Sequence, residues 1–157
     1  MSLIQGLFTK EQTENFAILL AKNSAKGDIY FLKGDLGAGK TTFSKAFIQS
    51  FFNYPITVTS PTFTLFNLYE SDSLTLCHSD LYRLKSVEEL YELGLLELLD
   101  TSLTLIEWPD LLEEAFSTLQ VNKLTFSIKD DATRLITLTS NKTLPKDVIH
   151  AFTTTSF

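Results

Sequence analysis

The chain has 157 residues, 44% hydrophobic and 20% charged, which suits a single domain over 1–157 able to bury roughly two-thirds of its unfolded surface without covalent staples. The one cysteine, Cys77, excludes an internal disulfide and points to a reducing compartment, so a cytoplasmic location is expected. Thirteen Lys plus Arg against 19 Asp plus Glu give a net charge of −6, which disfavours broad electrostatic binding of DNA or RNA. No apolar run approaches the ~20 residues needed to span a bilayer. The opening segment MSLIQGLFTKEQTENF has no basic patch ahead of an apolar stretch, so neither a signal peptide nor a membrane role is expected.

In chain order, Thr9 and Gln12 have the spacing of a capping box, and Ala17, Leu20 and Ala21 recur at helical intervals, predicting a helix that ends across Asn23 to Gly27. Ile29 to Leu32 is too short and too rich in β-formers for a helix, hence a buried strand. After a glycine-rich turn, Phe43, Ala46, Phe47 and Phe51 share a helical face over Thr42 to Phe52. Ile56 to Val58 and Phe63 to Tyr69 read as strands around a Ser60-Pro61-Thr62 turn, and Leu74 to His78 returns as a hairpin partner. Val87 to Leu99 predicts a helix interrupted near Gly94, Leu103 to Ile106 a buried strand, and Leu111 to Leu119 a short helix. Val121 to Ile128 and Arg134 to Thr139 alternate as a second hairpin, with Val148, Ile149 and Phe152 marking a last helix. The mixture predicts an α/β fold of the P-loop NTPase-like, three-layer kind: a mixed sheet with a parallel core and antiparallel hairpins.

Gly34 to Thr41, GDLGAGKT, matches G-x-x-x-x-G-K-[ST] in full, after a predicted strand and before a predicted helix. Glycines let backbone N–H groups close around phosphate oxygens, and the following helix N-terminus adds partial positive charge there. Gly37, Ala38 and Gly39 form the loop; Lys40 reaches the β- and γ-phosphates, Thr41 ligates Mg²⁺, and Thr42 contacts an adjacent phosphate. The motif indicates nucleotide binding without choosing the reaction.

A magnesium–nucleotide site also needs carboxylates, and two stand at the ends of apolar strands, Asp80 and Glu107. Spacing does not decide which touches the metal; the preferred assignment makes Glu107 a metal ligand and Asp80 a positioner of water or of the ion's hydration shell. Ser60-Pro61-Thr62 reads as a plain turn, and His78 beside Cys77 reads as structural rather than as a base. No Cys/His cluster has zinc spacing. Both Asn-Lys dipeptides, at Asn122 and Asn141, lack the Asp of an N/T-K-x-D guanine box, which disfavours a GTPase. With only Arg83 and Arg134 available, an arginine-bearing kinase lid would be thin. An ATPase weak by itself and stimulated by a partner remains, with a small metabolite or nucleotide kinase, or a non-catalytic nucleotide-gated module, as alternatives.

The segments GDLGAGKTT (Gly34–Thr42), SPTFTL (Ser60–Leu65), HSDLYRL (His78–Leu84), EELYELG (Glu88–Gly94) and LIEWP (Leu105–Pro109) occur in the order and spacing of the bacterial TsaE family, also called YjeE, which the chain resembles over nearly its whole length. The resemblance implies a small P-loop ATPase needed for the threonylcarbamoyl modification of adenosine 37 in tRNA. It also implies TsaD and TsaB as partners, ATP hydrolysis that supports their turnover, and contact with tRNA only through them. By matching motif, Lys40, Thr41 and Thr42 resemble the family's nucleotide and Mg²⁺ contacts, Glu107 its acidic metal ligand and Asp80 its second essential acid. Trp108 resembles the aromatic beside the site and Thr62 the loop threonine near the γ-phosphate. The family's N-terminal segment and late hairpin approach the nucleotide, which points to Glu11 and Arg134. His78-Ser79 departs from the usual His followed by an aromatic, which alters packing rather than chemistry.

Overall fold

A computed structural model describes residues 1–154 of the chain. Its elements are, in order, β1 (Ser2–Thr9), α1 (Lys10–Lys22), β2 (Ile29–Lys33), α2 (Lys40–Gln49), β3 (Phe66–Glu70), β4 (Thr75–Asp80), α3 (Val87–Glu92), α4 (Leu95–Thr101), β5 (Leu103–Glu107), α5 (Asp110–Ala115), β6 (Asn122–Ile128), β7 (Thr133–Ser140) and α6 (Lys146–Thr153). The seven strands form one sheet in the order β1-β7-β6-β2-β5-β4-β3. β6-β2-β5-β4 is the parallel core, flanked by antiparallel β3 on one side and by β7 and β1 on the other.

Strand alternation divides the core into two layers. Along β2, Tyr30 and Leu32 join the cluster under α1, α2 and α6, while Ile29 and Phe31 turn to the cluster under α3, α4 and α5. Leu103 and Leu105 of β5 face the first cluster and Ile106 the second. This is the three-layer α/β/α architecture with a mixed sheet that the order of elements predicted. The phenylalanines knit the larger layer: the ring of Phe43 on α2 lies 6.0 Å from Phe16, 5.8 Å from Phe47 and 5.7 Å from Phe126, centroid to centroid.

Local signals behave as their chemistry requires. Gln12 N–H donates to Thr9 Oγ1 at 3.2 Å and Thr9 N–H to Gln12 Oε1 at 2.9 Å, so the capping box closes and starts α1. Gly94, left-handed at φ 71°, ends α3 and opens α4, the predicted interruption. Three readings change. The strand read from Phe63 begins only at Phe66, because residues 62–65 turn, with Leu65 left-handed at φ 69° and its N–H donating to the Pro61 carbonyl at 2.7 Å. Ile56 to Val58 is not a strand: the Ile56 N–H is taken by the side chain of Gln49 at 2.9 Å, and the segment packs as coil against the core. Residues 2–9, given no element from the sequence, form β1, because a partner 130 residues away in β7 supplies the ladder that local pattern cannot reveal.

Phe43 has no exposed surface and bridges three rings, so Phe43→Ala should cost about 3–5 kcal/mol of stability, read as a lowered urea midpoint with an unchanged m-value.

Candidate functional site

The parallel register sets the site. Leu32 of β2 pairs with Glu107, and Glu107 pairs with Asp80, so the three strands end level at one edge of the sheet. The chain then leaves β2 into the glycine loop. Gly34 sits at φ 148°, and a Cβ there would lie 2.5 Å from the carbonyl oxygen of Phe126 on β6, so only glycine lets the loop pass this strand. Gly39, at φ 111°, is the last residue before α2 and aims that helix's free N–H groups back into the loop.

Lys40, Thr41 and Thr42 open α2. Lys40 is almost completely buried; its ammonium donates to the carbonyls of Gly34 and Asp35 (the latter at 3.1 Å) and lies 4.3 Å from the centre of the Trp108 ring. Burial pulls the ammonium's affinity for its proton below the usual lysine range, against the opposing pull of Glu107, Asp80 and Asp35. Trp108 is left-handed at φ 54°, an unusual conformation for an aromatic residue and doubly so ahead of Pro109. Strain of this kind costs on the order of 1–3 kcal/mol; here it accompanies an indole laid over Lys40 and 5.0 Å from the Tyr82 ring.

The two acids are buried and adjacent, Glu107 at 3% exposure and Asp80 at 6%. Ser44, one turn after Lys40, donates to Glu107 Oε1 at 3.4 Å. Asp80 Oδ1 accepts from the Tyr82 N–H at 2.9 Å. Burial raises the Asp80 carboxyl above the ordinary aspartate range; the Tyr82 N–H opposes this, the Glu107 charge adds to it, and His78 and Lys40 oppose it. The Ser60–Leu65 turn is tied to the same strand end, since the Leu65 carbonyl accepts from Asp80 N–H at 3.0 Å and from Ser79 Oγ at 2.8 Å.

Together these groups line a cleft of about 210 Å³ that holds Gly37 through Thr42, Thr62, Asp80, Glu107 and Trp108. A second hollow, of about 180 Å³, shares Gly37, Gly39 and Thr42 with it and is closed by Lys10, Thr13 and Arg134. Arg134 donates to the Gly37 carbonyl at 3.2 Å, which brings the late hairpin to the glycine loop. Glu11 lies exposed in the first turn of α1; its neighbours Lys10 and Thr13, rather than Glu11 itself, line that hollow. Sequence reasoning did not single out Ser44, Tyr82, Lys10 or Thr13. Ser44 could have been found from its i+4 spacing to Lys40; the others depend on tertiary approach.

Among the groups lining the cleft, the Thr41 hydroxyl and the Glu107 and Asp80 carboxylates offer hard oxygens to a cation. Among the described residues no group of three or more His, Cys, Asp or Glu could hold a metal alone. Few protein oxygens beside a phosphate cradle fit Mg²⁺, which keeps waters and phosphate oxygens in its shell. Cys77 is no nucleophile, since burial pushes its thiol up to about 12.

A family model described as threonylcarbamoyl adenosine biosynthesis protein TsaE matches residues 7–136. A tRNA threonylcarbamoyladenosine biosynthesis protein TsaE of Rickettsia bellii is 42% identical over 136 residues, covering 85% of this chain and 92% of the relative. Its namesake in Haemophilus influenzae is 37% identical over 140 residues, 86% of this chain and 84% of that one. Among solved structures, a crystal structure of Bacillus subtilis YdiB aligns with TM-score 0.72 at 28% identity over 98% of this chain and 95% of that chain.

The weakened acidity of Asp80 is linked to the stability of the fold. In unfolded chain Asp80 ionises near the ordinary value, about 3.9, whereas in the nucleotide- and metal-free fold it holds its proton to higher pH. Ionisation therefore destabilises the fold, increasingly as pH rises from the unfolded value through the native one. Asp80→Asn, which keeps the acceptor for Tyr82, should raise Tm at pH 7 by roughly 2–4 °C. In calorimetric scans the gain should shrink as pH falls and vanish below the unfolded value.

Proposed function

The chain belongs to the TsaE family, and on that premise we propose that it is the ATP- and Mg²⁺-dependent ATPase subunit of the assembly that threonylcarbamoylates adenosine 37 of tRNA. In this reading it is a single P-loop domain, 1–157, that acts in the cytoplasm with TsaD- and TsaB-like proteins and meets tRNA only through them. The observation that supports hydrolysis is the gathering of the loop lysine and two buried strand-end acids on one cleft. The distant segments do not approach one another in sequence, and a glycine-rich turn with an accidental Lys-Thr would not gather them.

The roles follow from position. N–H groups of Gly37 through Thr41 and the α2 N-terminus cradle the phosphates, with Thr42 beside them. Lys40 exchanges the carbonyls of Gly34 and Asp35 for β- and γ-phosphate oxygens, and the Trp108 ring keeps water off its ammonium. Thr41 and Glu107 would hold Mg²⁺, which when bound neutralises charge on the phosphates. Asp80, levelled beside Glu107, orients the attacking water, and Thr62 stands at the γ-phosphate end of the cleft. The nucleoside takes the neighbouring hollow with Arg134, near Glu11.

Charge stabilisation is incomplete. Arg134 is engaged with the carbonyls of Asp130, Thr133 and Gly37, and the Arg83 guanidinium lies 4.4 Å over the Phe63 ring outside the cleft lining. A partner must complete or order the site, so turnover of the free subunit is slow.

Phosphate release without any acceptor is the expected chemistry, and TsaD–TsaB should raise it about tenfold or more. Lys40→Ala should lower it by about 10²–10³-fold, with calorimetry showing weakened ATP binding. Full-speed hydrolysis by the subunit alone, indifferent to the partners, contradicts the reading, as does release of ADP only when a phosphate acceptor is supplied.

A further inference from the structure

His78 is a deeply buried titratable side chain that the proposed chemistry leaves without a task. It is 1% exposed, and among the described residues neither ring nitrogen has a hydrogen-bond partner. Burying a polar nitrogen without a partner is destabilising, and an apolar residue of similar volume would fill the space more cheaply. The direction of the ring shows what the imidazole offers instead. On β4, Leu76, His78 and Asp80 alternate onto the same face of the sheet as Leu103, Leu105 and Glu107 of β5, the face covered by α2. His78 pairs in register with Leu105, one step behind the Asp80–Glu107 pair. Its Nε2 lies 3.6 Å from Glu107 Oε1, the same oxygen that Ser44 reaches at 3.4 Å.

We propose that His78 is a positioning residue: its Nε2–H, with the Ser44 hydroxyl, clamps one oxygen of Glu107 so that the other is presented to the cleft and to a divalent cation. Both contacts lie at or just beyond hydrogen-bond range, and a small carboxylate rotation closes them. Outer-layer donors of this kind fix the orientation of a ligating carboxylate that would otherwise rotate freely, and removing one commonly costs 10–100-fold in metal affinity. His78 itself touches neither cation nor nucleotide. The inference rests on the reading of Glu107 as a metal ligand.

The test uses Mn²⁺ as a paramagnetic probe, titrated into the protein–ADP complex while free Mn²⁺ is followed by electron paramagnetic resonance. His78→Leu, which fills the site without a donor, should weaken Mn²⁺ binding by about 10–100-fold. Binding of a fluorescent ADP analogue in EDTA should stay within about twofold, since a clamp on Glu107 acts only through the cation. His78→Gln, which keeps an N–H at similar reach, should stay within about threefold of the parent. Should His78→Leu fail to fold by circular dichroism, His78→Phe replaces it. Mn²⁺ affinity in the apolar variant equal to that of the parent overturns the proposal. Equal losses in the Gln and apolar variants overturn it too, because a packing role explains them. Failure of the parent ADP complex to bind Mn²⁺ at all would instead reject the metal site itself.

Discussion

Three parallel strands that end level place two carboxylates and a glycine loop at one edge of the sheet, and the rest of the site depends on that register. Shifting β5 by one residue against β2 or β4 would turn Glu107 to the opposite face, toward α3 and α5, and leave Lys40 facing an apolar strand. The alignment is held by burial on both faces, since every residue of β5 is buried and its neighbours divide cleanly between two apolar clusters. A second contact holds the loop itself: Gly34 passes so close to the Phe126 carbonyl that no side chain fits, while the Phe126 ring packs against Phe43 of α2. The strand before the loop and the helix after it are thus fastened to one residue of β6.

This geometry concentrates charge where water is scarce. Lys40, Asp80 and Glu107 are all nearly inaccessible, and desolvation is the largest influence on both Lys40 and Asp80, driving each toward its neutral form. Two buried acids beside one desolvated lysine make an electrostatically unsatisfied arrangement. Such a site gains stability from whatever cation and polyphosphate complete it, the usual exchange of stability for function. The left-handed Trp108 fits the same pattern, because backbone strain sits where an aromatic ring shields the lysine.

The net charge of −6 disfavours gripping a tRNA backbone directly, which supports the proposal that tRNA is met through other proteins. In the proposed site, recognition of the nucleotide would rest on short-range N–H groups and one lysine, whose strength does not depend on the sign of the whole surface. The scarcity of arginine has a structural counterpart, with one guanidinium engaged by carbonyls and the other laid on a phenylalanine.

Much of this was legible in the chain itself. The capping box at Thr9, the break at Gly94, the phosphate loop, both hairpins and the apolar strands ending in Asp80 and Glu107 all rest on neighbours within a few residues. Local chemistry writes such features directly into sequence. The β1 strand, the coil at Ile56 to Val58, the lid of Trp108 over Lys40, and the Ser44 and His78 contacts on Glu107 were decided only in three dimensions. Each joins groups far apart along the chain or exchanges a ladder bond for a side-chain bond. Periodicity reports which face a residue prefers, but only packing determines what waits for it there.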